Sequence, residues 1–175
     1  MLPYARNMCL GAHVLRGKDQ KPFGGKFTDW DVAIWIDSDV VITPQQIQEL
    51  VDHKLDFVSG LYLMENGLEY AAMRDLDDEY FLKNAHYQAL TSEDIKGKRK
   101  LLEVDYCGFG CCVTSKKLLY DMEYPWFRSE MVMLNENVQD RDMEDHYFCT
   151  AARKKGYQLW IDTGITCPHL KLKPV

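Results

Sequence analysis

The stretch Ile34-Trp35-Ile36-Asp37-Ser38-Asp39-Val40 decides how the rest of the chain is read. Val32 to Ile36 is a short apolar run rich in β-formers, which predicts a buried strand. The run stops at two carboxylates one residue apart. A strand end is a rigid platform, and two aspartates there make a hard-oxygen donor set suited to Mg²⁺ or Mn²⁺. Two anions this close repel each other unless a cation joins them. An isolated D-x-D is short and common, and by itself reads as a turn cap beside a solvated acid. The flanking residues shift that balance.

Downstream, Thr43-Pro44-Gln45-Gln46 opens a helix, with Thr43 as N-cap and Pro44 at the first position. Ile47, Leu50 and Val51 form its apolar face, and Phe57-Val58-Ser59-Gly60-Leu61-Tyr62 is a second buried strand. Upstream, Ala5, Cys9, Ala12 and Leu15 recur at helical spacing and predict a helix over 3–16, followed by a polar, glycine-rich loop over 17–29. Helix, strand, helix, strand is the rhythm of a parallel α/β sheet. Further on, strands are expected over 69–74 and 101–106, with a charged, mixed segment over 75–100 that includes a solvated basic turn, Gly97-Lys98-Arg99-Lys100. A helix over 115–122 precedes an aromatic turn at Pro125-Trp126-Phe127, and residues 131–141 have no clear period. A helix over 144–156, stopped by Gly156, leads to a last strand over 157–162. No repeat or linker divides the chain, so residues 1–175 are expected to form a single domain.

Composition narrows the function classes. Hydrophobic residues make up 46% and aromatics 12%, enough for a packed core. Lys and Arg number 21 against 27 Asp and Glu, a net charge of −6, which argues against a general nucleic-acid-binding surface. A nucleotide ligand remains compatible, because a bound metal supplies positive charge. No apolar stretch approaches the roughly 20 residues that span a bilayer. The first residues, Met1-Leu2-Pro3-Tyr4-Ala5-Arg6-Asn7, lack the pattern of a signal peptide. Cys9, Cys107, Cys111, Cys112, Cys149 and Cys167 sit mostly in apolar or glycine-rich surroundings, where a free thiol is the common state. These features predict a reduced, cytoplasmic protein.

With these pieces in order, the chain resembles a GT-A-fold glycosyltransferase of the nucleotide-sugar-dependent, D-x-D type. The resemblance runs from Arg6 to His169. It rests on Ala5-Arg6-Asn7, Trp35-Ile36-Asp37-Ser38-Asp39, Thr43-Pro44, Ser59-Gly60-Leu61-Tyr62, Gly108-Phe109-Gly110, Pro125-Trp126-Phe127, Met143-Glu144-Asp145 and Pro168-His169. It implies a Rossmann-like α/β fold, with a mostly parallel mixed sheet flanked by helices. It further implies that the strand-helix unit that usually precedes the Arg-Asn segment is missing, leaving an open sheet edge that association would cover, as in a homo-oligomer.

The resemblance also implies roles. Asp37 corresponds to the carboxylate near the donor ribose and the metal, Asp39 to the direct ligand of Mn²⁺ or Mg²⁺, and His169 to the late histidine that completes the metal site. Arg6 resembles an arginine facing the donor nucleotide. Gly108 and Gly110 match a loop where backbone approaches the sugar or acceptor. Asp145 matches the general base of inverting members, with Glu144 in support. The partners implied are a nucleoside-diphosphate sugar and a hydroxyl acceptor. Periodicity does not choose between Glu144 and Asp145, and His13, His53, His86 and His146 read as structural.

Two other functions fit parts of the pattern. Asp37-Ser38-Asp39-Val40-Val41-Ile42 also matches the first motif of a haloacid-dehalogenase-like Mg²⁺ phosphatase, with Asp37 as nucleophile and Asp39 as acid/base. That family places its later acids just after an apolar strand, and no apolar run precedes Gln139-Asp140-Arg141-Asp142. A non-catalytic, nucleotide-sugar-binding pseudoenzyme is the third reading.

Overall fold

The computed structural model describes residues 2–97 and 100–170. Its centre is a five-stranded mixed sheet in the order β1 (Val32–Ile36), β6 (Cys111–Ser115), β2 (Phe57–Tyr62), β9 (Leu159–Cys167), β4 (Leu101–Val104). β6 is antiparallel to both β1 and β2, β4 is antiparallel to β9, and β2 and β9 are parallel. The expectation of a mostly parallel sheet is therefore corrected: three of the four neighbouring pairs are antiparallel. The cause is β6. β1 and β2 do point the same way, joined across α2 (Pro44–Asp52), but a strand some fifty residues later inserts between them. Local sequence rhythm carries no trace of that insertion.

Strand alternation divides the interior into two cores. Phe57, Leu61 and Cys112 belong to one, with Leu118 and Leu119 of α5 (Lys116–Asp121) and Phe148 and Ala152 of α6 (Glu144–Lys154). Val58, Tyr62, Cys111 and Val113 belong to the other, with Leu50 of α2. Helix α2 begins where its sequence directs. The Thr43 hydroxyl accepts from the Gln46 amide, the Gln46 side chain accepts from the Thr43 amide, and Pro44 needs no partner at the first turn.

Several expected elements differ in extent. The helix predicted over 3–16 is α1 (Leu2–Cys9) followed by a single 3₁₀ turn at Val14–Arg16. Gly11 causes the break: its φ is +73°, and a β-carbon there would lie 3.1 Å from Phe23 Cα. The strand over 69–74 shrinks to β3 (Ala72–Met73), paired with β5 (Tyr106–Cys107). The charged segment holds α3 (Asp78–Asn84) and α4 (Ser92–Ile95). Lys98 and Arg99 of the basic turn lie outside the described residues, while Lys100 pairs with Glu49 at 3.2 Å and Asp162 at 3.5 Å. The aperiodic stretch forms a hairpin, β7 (Met131–Met133) with β8 (Gln139–Arg141). The last strand continues past Asp162 to Cys167, through a register shift opposite Ser59–Leu61.

Strand β1 lies at one edge of the sheet. Of its residues only Trp35 is buried, its indole N–H donating to Thr114 Oγ1 at 2.9 Å, and Ile34 and Ile36 are exposed. The buried-strand reading of 32–36 is corrected to that extent. The six cysteines are free thiols, five of them buried. Among the described residues no helix is long and apolar enough to cross a membrane.

Candidate functional site

The site grows from the C-terminal end of β1. There the Asp37 amide donates to the Gly110 carbonyl at 3.0 Å, and the Val40 amide closes a turn onto Asp37 O at 3.0 Å. Residues 39–41 then meet residues 168–170 in antiparallel fashion. Val41 N–H donates to Pro168 O at 2.9 Å, Leu170 N–H to Asp39 O at 2.7 Å, and Val40 bridges His169. This short backbone zip sets His169 beside Asp39, 130 residues away in sequence, with Nε2 3.2 Å from Oδ2.

The imidazole is held from its other side. His169 Nδ1 lies 2.8 Å from the Leu63 carbonyl, and the Tyr62 ring meets it edge-on with centroids 5.1 Å apart. A carbonyl only accepts, so Nδ1 carries the hydrogen and Nε2 faces the carboxylate. Two such atoms at 3.2 Å need a proton or a cation between them. A backbone carbonyl on the far ring nitrogen is the usual second partner of a metal-bound histidine. One imidazole nitrogen and one carboxylate thus meet here, with Asp37 in the same turn. Among the described residues no cluster of three or more His, Cys, Asp or Glu gathers around one point.

Arg6 ties the strand end to α6. Its Nη2 is 3.2 Å from Asp37 Oδ1 and its Nε 3.4 Å from Glu144 Oε1, while the guanidinium sits 5.3 Å from the Phe109 ring centroid. Arg6 and Glu144 are 8% and 2% exposed, so the ion pair belongs to the interior. The guanidinium expected to face a nucleotide is here engaged by two protein carboxylates.

The structure separates Glu144 from Asp145, which periodicity does not. Glu144 turns inward to Arg6. Asp145 lines a pocket of about 180 Å³, its Oδ2 accepting from the Tyr106 hydroxyl and its Oδ1 from the His146 amide, both at 2.8 Å. Burial, reinforced by the Asp145 charge, pushes the Tyr106 and Tyr62 hydroxyls well above the usual tyrosine range. Tyr106 is thus a fixed hydrogen-bond donor to Asp145. Burial also pushes the Cys112 thiol up; Arg6 pulls it down, and Asp37 and Asp145 add to the rise.

The two glycines have a different neighbour from the one the resemblance implies. A β-carbon on Gly108 would lie 2.0 Å from the Tyr62 hydroxyl oxygen, and one on Gly110 would meet the Tyr62 ring. The Gly110 amide donates to that hydroxyl at 3.3 Å. The space the glycines open is filled by the protein's own tyrosine.

Sequence reasoning missed Tyr62, Tyr106, Asp142 and His146. The tyrosines carry no local signal, because their partners are 39 or more residues away. Asp142 and His146 did carry one: a spacing of four residues at a helix start places two side chains together.

No protein-family model matches the chain, and no curated protein matches it. Among solved structures it is similar to the crystal structure of A197 from STIV, with a TM-score of 0.59 and 16% identity, over 98% of this chain and 69% of that chain. At that identity the likeness is one of α/β fold.

Proposed function

We propose that this chain is a GT-A-type glycosyltransferase, which transfers a sugar from a nucleoside-diphosphate donor to an acceptor hydroxyl with inversion. The observation that supports the reading is the pairing of Asp39 with His169, beside Asp37 at the end of β1. When bound, Mn²⁺ or Mg²⁺ offsets negative charge on the departing diphosphate. Asp39 and His169 would hold the ion, with Asp37, paired to Arg6, in the same turn as Asp39. Asp145, oriented by Tyr106 and by its helix amide, takes the acceptor proton as the acceptor oxygen attacks the anomeric carbon. The bond to the diphosphate oxygen breaks, and its electron pair leaves with the diphosphate.

Titration calorimetry with Mn²⁺ and uridine or guanosine diphosphate tests the first half. Metal-dependent nucleotide binding that disappears in Asp39→Ala supports the reading. Hydrolysis of a phosphate ester such as p-nitrophenyl phosphate, with no metal-dependent nucleotide binding, would replace it with the phosphatase.

A further inference from the structure

The glycine-rich segment between α1 and β1 contributes nothing to the candidate site, yet it holds large apolar side chains out in water. Val14 and Leu15, in the 3₁₀ turn, are 74% and 86% exposed, and Phe27 is 59% exposed. Single exposed apolar residues are ordinary on a protein surface. These are presented by a built loop. The buried Gln20 side chain accepts from the His13 amide at 2.9 Å and donates to the carbonyls of His13 at 3.2 Å and Gly17 at 2.7 Å. The His13 ring accepts from the Leu15 amide at 3.2 Å. Residues 13–20 therefore close around one glutamine and carry a valine and a leucine at the tip. A loop that served only as a polar turn would carry turn-forming polar residues there.

A second loop lies against the first. A β-carbon on Gly24 would lie 2.9 Å from Arg16 Nη1, and Phe27 meets Phe23 edge-on with centroids 5.9 Å apart. The two loops carry four cations, Arg16, Lys18, Lys21 and Lys26, all exposed. Between 13 and 28 the only carboxylate is Asp19, so this segment has a formal charge of +3 in a chain whose total is −6. Asp29 and Asp31 follow it, and Lys116 lies over the Trp30 ring at 5.9 Å. None of the four loop cations is in an ion pair among the described residues.

Protruding aliphatic and aromatic side chains ringed by unpaired cations match the interface of an anionic bilayer. Lysine and arginine meet the lipid headgroups while the apolar tip enters the boundary with the acyl chains. A nucleic acid would use the cations and leave the valine and leucine idle. A second copy seated on the same face about a twofold axis would set cations against cations. We infer that this face docks on an anionic lipid bilayer, with Val14 and Leu15 inserted at headgroup depth and Arg16, Lys18, Lys21 and Lys26 against the headgroups. The inference is independent of the transferase reading.

The test sediments the whole chain with vesicles of phosphatidylcholine alone, and of phosphatidylcholine and phosphatidylserine in equal parts. The chain should pellet with the second and not with the first, and the bound share should fall as salt is raised. Leu15→Ser, and Lys18→Glu combined with Lys26→Glu, should each weaken binding about tenfold. Melting temperature should be unchanged in these variants, because the side chains are exposed. In Leu15→Trp, lipids brominated along their acyl chains should quench the added fluorescence. Failure to pellet with the serine-containing vesicles overturns the inference. Binding that is unchanged in Leu15→Ser and gives no quenching also overturns it, since that describes adsorption by charge alone. Leu15-dependent self-association in the ultracentrifuge without vesicle binding would assign the face to a second copy. Tighter binding to a single-stranded oligonucleotide than to vesicles would assign it to nucleic acid, and either result overturns the bilayer.

Discussion

Gly110 and Tyr62 compete for one volume: a β-carbon on Gly110 would lie 2.6 Å from Cε1 of the Tyr62 ring and 2.7 Å from Cζ. Tyr62 also meets the His169 ring edge-on, so the loop, the tyrosine and the histidine are stacked parts of one support. Gly110→Ala should therefore destabilise the fold by about 1–3 kcal/mol, the cost of overpacking a filled interior. Thermal melts check this. The double variant Gly110→Ala, Tyr62→Ala should lose less than the two single losses combined, because the clash is gone. Strict additivity would mean the two residues are independent.

Removing Arg6 should be costly for a different reason. Arg6→Met leaves Glu144 charged, buried and without that partner, which costs about 3–5 kcal/mol. Changing both, Arg6→Met with Glu144→Gln, should recover a large part of the loss. Urea denaturation of the two variants measures the difference, and a double variant as unstable as Arg6→Met would show that the pair is not coupled.

On the proposed metal role of the Asp39–His169 pair, Asp39→Ala and His169→Ala should each weaken Mn²⁺-dependent nucleoside-diphosphate binding by about tenfold or more. Melting temperature should change little for Asp39→Ala, since that carboxylate is partly solvent-exposed. Adding a chelator to the wild type should reproduce the binding loss. Equal affinity with and without Mn²⁺ would argue for a site that binds nucleotide through protein groups alone.

Asp145→Asn should keep nucleotide binding and lose about 10²–10⁴-fold in kcat, the range for removing a general base. Tyr106→Phe should cost far less, because it frees the carboxylate without deleting it. Product NMR gives the anomeric outcome. A retained configuration would leave no role for Asp145 as the proton acceptor of a single displacement.

The two buried tyrosines also predict an alkaline limit. Their folded-state pKa values are raised above the ordinary value near 10, so the unfolded chain loses these protons first. Their contribution is complete below about pH 10 and is lost as pH climbs above it. Melting temperature should fall above pH 10, and the fall should be shallower in Tyr106→Phe. Ultraviolet absorbance of tyrosinate, followed alongside the melt, should show these two rings ionising only with unfolding.

Much of the site was legible where chemistry is local. Asp37 and Asp39 announce themselves because a β-run ends on them, and the Thr43 capping box is contained in four residues. Long-range pairings left weaker marks. Nothing near Asp39 names His169 as its neighbour; that pairing depends on Val41 and Leu170 sharing backbone hydrogen bonds with 168 and 39. The strand directions were read wrongly for the same reason, since β6 enters between β1 and β2 from far along the chain. Residues 131–141 looked formless because a hairpin of exposed side chains has no buried face to impose a period of two.

The position of β6 has a consequence for biosynthesis. β1 is made early, yet its hydrogen-bonding partner is 111–115 and the segment that brings His169 to Asp39 is made later still. A ribosome-bound chain that stops short of these segments holds the D-x-D turn with neither its strand partner nor its histidine. Contacts this distant in sequence slow folding, because a long loop must close before they form. A nascent chain should therefore lack the Asp39–His169 pair until residues 168–170 leave the exit tunnel, so that the pair forms in one late event.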